Sequence, residues 1–68
     1  MNMKPSRVSI RHALINSNSA IEFKENCKNM FGWSDKKFMD ISATNHCFNA
    51  LKNNKSKEWI IENVLTAA

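Results

Sequence analysis

The stretch Cys27-Lys28-Asn29-Met30-Phe31-Gly32-Trp33-Ser34-Asp35-Lys36-Lys37-Phe38 decides the fold class. Gly32 is the only glycine in the chain, and it falls where an apolar repeat of helical period stops. Glycine suits that place because it takes positive φ without a Cβ clash, which closes a helix. Ser34-Asp35 then offers short side-chain oxygens to the unpaired N–H groups of a new first turn. The segment is a helix, a tight turn and a second helix.

Working back from Gly32, Ala20, Phe23, Cys27, Met30 and Phe31 recur at i, i+3, i+7, i+10 and i+11, one face of a helix. Ser19 and Glu22 have the spacing of a capping box at its start. Asn16-Ser17-Asn18-Ser19 is a polar connector. Before it, a helix from Ser6 or Ser9 to Ile15 is expected, with Val8, Ala13, Leu14 and Ile15 on its apolar side and Arg7 and Arg11 on another. Residues 1–5, with Pro5, form a flexible lead-in.

Working forward, one helix is expected over about 35–52. Its apolar residues Phe38, Met39, Ile41, Ala43, Cys47, Phe48, Ala50 and Leu51 occupy more than one stripe, so it should be central and packed on two sides. Asn53-Asn54-Lys55 breaks the pattern. Ser56 caps a last helix, Lys57 to about Ala67, which buries Ile60, Ile61, Val64 and Leu65 while Trp59 covers a seam. Strand folds need turn residues at regular intervals, and this chain has one Gly and one Pro. The expectation is an all-α fold, a compact bundle of three to four short helices forming one domain over 1–68.

Sixty-eight residues bury a small core, since a chain this size hides only ~60% of its unfolded surface. A second copy is one remedy for thin stability, so a homodimer is a candidate state. Cys27 and Cys47 both fall on apolar helix faces. Two such thiols suit a reducing, cytoplasmic setting better than a secreted disulfide framework, which carries more cysteines at loop spacings. No run approaches the ~20 apolar residues that span a membrane, and no secretory signal pattern opens the chain.

The net charge of +4 is unevenly spread. Residues 1–21 hold Lys4, Arg7 and Arg11 with no acid, whereas from Glu22 onward seven basic residues face six acidic ones. A local positive field attracts phosphates or acidic protein surfaces, although a charge of this size also simply solubilises small domains. Ten asparagines and abundant lysine suit an AT-rich genome, such as a phage or mobile element carries.

Catalytic chemistry finds no purchase. His12, Cys27, His46 and Cys47 lack the paired spacing of structural zinc sites. His46 and Cys47 are neighbours on a helix and diverge by ~100°, too far apart for a nucleophile and its base. Ser34 and Asp35 are accounted for by capping. No carboxylate pair, glycine-rich phosphate loop or nucleophile elbow occurs. Neither an enzyme, a metal nor a cofactor is expected.

Two binding readings of a small regulatory protein remain, with nucleic-acid binding the leading one. The hairpin around Gly32 has the glycine turn of a helix-turn-helix, with Cys27, Phe31, Trp33, Phe38 and Ile41 at suitable spacings. Lys36 and Lys37 would sit at the groove end of its second helix, and Lys4, Arg7 and Arg11 would neutralise backbone phosphates of DNA. Against it, Lys28 stands where close helix approach calls for a small residue, and an ordinary capped αα-hairpin has the same sequence signals. The other reading is a protein–protein modulator that docks on a host protein complex through an apolar patch near Trp33 or Trp59.

The residues Ser34-Asp35, Ser42-Ala43-Thr44-Asn45-His46 and Ala50-Leu51 resemble the third helix of the Hha/YmoA family. The family consists of small all-helical proteins that modify nucleoid proteins through protein contacts. The likeness spans under a third of the chain with a one-residue gap, and Cys47 stands where the family has Arg. It implies a partner-binding helix and carries over no functional residue.

Overall fold

The computed structural model describes residues 4–65, and the expectations placed on residues 1–3 and on the last helix beyond Leu65 fall outside them. The fold is all-α. Helix α1 spans Arg7–Ile15, α2 Ala20–Phe31, α3 Asp35–Asp40, α4 Ser42–Lys52 and α5 Lys57–Ile60, which widens into a π-helical turn over Ile61–Leu65. Among the described residues no strand occurs.

Serine side chains start four of these helices. Ser6 Oγ accepts from Ser9 N and Ser9 Oγ accepts from Ser6 N, a reciprocal capping box that also ties Ser9 Oγ to Lys4 O. Ser19, Ser34 and Ser56 accept from Glu22 N, Lys37 N and Trp59 N. The Ser19 box is only half closed, because the Glu22 carboxylate reaches Asn18 N and not Ser19 N. Gly32 ends α2 at φ 68°, with its own N–H and that of Trp33 donating to Lys28 O.

The core is a chain of aromatic rings between α2, α3 and α4. Phe23 meets Phe38 edge-on at 5.7 Å, and Phe38 meets Phe48 in the same way at 5.7 Å. Ile10, Leu14, Cys27, Phe31, Cys47, Ile60 and Leu65 complete it. The buried connector residue Ser17 donates to Ala13 O and accepts from Asn26 Nδ2, which fixes the α1–α2 corner.

Three expectations change. The single helix over 35–52 is two helices, broken at Ile41, whose ψ of 121° is extended. Thr44 makes the break tolerable: fully buried, its hydroxyl donates to Phe38 O at 2.7 Å and lies 3.1 Å from Ile41 O. Asn45 Nδ2 donates to Met39 O. The Phe38 and Met39 carbonyls, left without helical donors at the break, thus find side chains, while Ile41 O also accepts from Asn45 N.

The apolar side of α1 is also different. Ile10, Ala13 and Leu14 face the core, whereas Val8 is 79% exposed and Ile15 49%. Helix α1 carries apolar residues on two faces, and packing on α2 and the last helix turns the Ile10 face inward.

In the last helix Ile60 and Leu65 are both buried, five residues apart. An α-helix would turn those two positions well away from each other. The π-helical i→i+5 winding brings them onto one side, so core burial sustains the widened turn. Lys57 Nζ caps the C-terminal end of α1 by donating to Ile15 O at 3.0 Å.

Candidate functional site: a groove between α4 and the last helix

The residues proposed to read DNA are divided between elements that share little contact. Lys4, Arg7 and Arg11 are exposed on and before α1, which packs on α2 and the π-helical turn. Lys36 and Lys37 are exposed on α3, which packs on α2 and α4.

Helix α3 has six residues, about 9 Å of helix, which is short for a groove reader. Lys36 Nζ is held by Asp40 at 2.8 Å. Lys28, at the position where a small residue was expected, reaches across the hairpin to Asp35 at 2.6 Å, with Glu25 at 3.5 Å and Lys24 4.0 Å from the same Asp35. The Lys28 hydrogen bond, with help from the Lys24 charge, holds the Asp35 carboxyl below its ordinary range, and Asp35 raises Lys28 in return. The hairpin's lysines are thus largely matched by its own carboxylates, and its local field is weak.

The two tryptophans have different surroundings. Trp33 is half-buried, its ring 4.7 Å from Phe31, and packs against the core. Trp59 is 41% exposed, with Lys55 Nζ 4.9 Å from its ring centroid. It lines a groove of about 570 Å³ between α4 and the last helix, within the ~300–1,000 Å³ range of binding pockets.

The groove follows from helical spacing. Ser42, His46, Ala50 and Asn53 form one stripe of α4, each three or four residues after the last. Trp59, Asn63 and Val64 face it from the last helix, and Lys55 completes the lining beside the Trp59 ring. Ala50 lowers the floor because it carries no more than a methyl group. Asn63 Nδ2 donates to Trp59 O, leaving the amide oxygen as an acceptor. Among the described residues, His46 and Asn53 make no side-chain hydrogen bond.

The groove holds an aromatic plate, one cation, an imidazole, two amides and a hydroxyl, and no acid lines it. Such a set can hold an extended chain, with amides for its backbone, a ring for an apolar side chain and Lys55 for a carboxylate. Trp59 stands out in the sequence as a patch residue. His46, Asn53, Lys55 and Asn63 do not, because isolated polar residues on helix faces give no signal until two helices pair.

Cys27 and Cys47 are free and buried. Burial, together with the neighbouring Cys47 sulfur, pushes the Cys27 thiol up to about 12, and burial pushes Cys47 up to about 11. Neither is a nucleophile at neutral pH. Among the described residues no three His, Cys, Asp or Glu side chains gather where they could hold a metal ion. No helix among them is long and apolar enough to cross a membrane.

Family models, curated proteins and solved structures offer no match to this chain, so the resemblance to the Hha/YmoA helix finds no support there.

Proposed function

We propose that this chain is a non-enzymatic binding protein that docks a short extended segment of another protein in the groove between α4 and the last helix. The observation that carries the reading is Trp59, 41% exposed with Lys55 beside its ring, in the lining of the groove of about 570 Å³. Tryptophan dominates many interfaces because it buries a large rigid area at small entropic cost. The segment would place an apolar side chain against Trp59 and a carboxylate near Lys55. Its backbone would bond Asn53 and Asn63. Two free, buried cysteines suit a reducing cytoplasmic host for such a modulator.

A display selection tests this. Random peptides are selected on the wild-type protein and depleted on Trp59→Ala. The expected survivors share an apolar residue followed by an acid, and Lys55→Glu weakens them at least ~tenfold, about 1.4 kcal/mol. Survivors that bind both tryptophan variants equally would defeat the reading.

Nucleic-acid binding stands second, favoured by the acid-free run of Lys4, Arg7 and Arg11. It requires duplex DNA affinity to fall with salt at a slope near −0.9 per phosphate contacted. Lys36→Ala with Lys37→Ala should flatten that slope. Association that vanishes near physiological salt, regardless of sequence, would remove this alternative.

A further inference from the structure

The groove reading leaves the opposite flank of the last helix unexplained. Val8 and Ile15 are seven residues apart on one outward face of α1, with Arg11 between them. Ile61 is half-buried beside them, and Arg7, Val8, Arg11, Ile61 and Leu65 line a shallow seam of about 190 Å³. The two helices run antiparallel. Lys57 lies at Ile15, while Arg7 and Val8 lie at Ile61 and Leu65.

This face has an apolar centre and two edges of opposite charge. The α1 edge carries Lys4, Arg7 and Arg11. The last helix carries Glu58 and Glu62, which flank Ile61 at i−3 and i+1. Arg7 and Glu62 already have partners within the molecule. Arg11 and Glu58 are exposed and form no ion pair among the described residues. Burying Val8 and Ile15 would remove apolar surface from water, and the unmatched charges determine what can cover it.

We infer that the occupant is a second copy of this chain, related by a two-fold axis parallel to α1 and the last helix. That rotation lays α1 of each copy over the last helix of the other at the same height. Arg11, level with Ile61, then comes within side-chain reach of Glu58 of the second copy, about 4.5 Å along the helix, and Val8 and Ile15 close over Ile61. A two-fold perpendicular to the helices would instead stack α1 on α1 and Arg11 near Arg11, which like charge opposes. A stable pair commonly hides ~800 Å² per partner. The molecule exposes 4401 Å², so about a fifth of its surface meets that need. The Trp59 groove opens on the other flank, so each dimer presents two grooves.

Sedimentation velocity over roughly 1–500 µM, a range that reaches weak specific pairs, tests the inference. The wild type should pass from monomer to dimer. Val8→Glu, a change at an exposed position, should weaken association at least ~tenfold while the far-UV CD spectrum stays unchanged. Arg11→Glu should do the same, and Arg11→Glu combined with Glu58→Arg should restore association to within a few-fold. A monomer throughout overturns the inference, as does a dimer indifferent to Val8→Glu. Failure of the paired charge exchange overturns the parallel two-fold. Should an Arg11 variant not fold, Val8→Glu alone decides. None of these outcomes touches the groove, whose failure would appear only in the peptide selection.

Discussion

Phe38 has no exposed surface and holds rings from two other helices, Phe23 and Phe48, each at 5.7 Å. Its removal loses transfer energy and leaves a void where three helices meet. Phe38→Ala should therefore cost ~3–5 kcal/mol, most of the stability expected of a domain this small, near the bottom of ~5–15 kcal/mol. Denaturant melts check this, with Phe38→Leu as the milder variant should the alanine form not fold. Phe31→Ala should also destabilise, since that ring is 4% exposed and leans on Trp33. A Phe38→Ala protein that melts like wild type would mean the ring packs against nothing.

The helix starts and the α2 stop were legible because their causes are local. Ser6, Ser19, Ser34 and Ser56 each accept a backbone N–H three residues on, and Gly32 closes α2 in the left-handed conformation. The break at Ile41 was not legible. Its carbonyls are satisfied by Thr44 and Asn45, which look like ordinary helix residues until the chain bends. The inward face of α1 is hidden in the sequence for a related reason: Val8 and Ile10 are both β-branched and apolar, and only packing on α2 and the last helix separates them. Thr44 thus gives a direct test of the break. Thr44→Val keeps the shape but removes the donor to buried Phe38 O, and should cost ~1–3 kcal/mol. Thr44→Ser should recover most of it. Equal melting of the valine form and wild type would mean that α3 and α4 form one continuous helix.

The assembled molecule also governs its thiols. Both cysteines ionise only well above their ordinary value of 9.0, because the folded core desolvates them. The unfolded chain releases those protons near pH 9, so the native state holds more protons between about 9 and 11–12. Stability should accordingly be level with respect to these groups below about pH 8 and fall as pH climbs through 9 and beyond. Cys27→Ala with Cys47→Ala should flatten that alkaline limb, even though the variant is less stable at pH 7. At neutral pH, thiol reagents should label the native protein slowly, at the rate of opening. Rapid labelling of both cysteines in the native state would contradict the burial.

The groove depends on this same packing, because its two walls come from helices that meet only in the assembled molecule. A nitrogen-15 correlation spectrum, recorded during titration with a peptide from the Trp59-dependent selection, follows it directly. The indole N–H of Trp59 and the side-chain amides of Asn53 and Asn63 should shift and saturate together, while the indole N–H of Trp33 stays still. Shifts confined to α1 or α3, with the Trp59 and asparagine signals unmoved, would contradict binding in the groove.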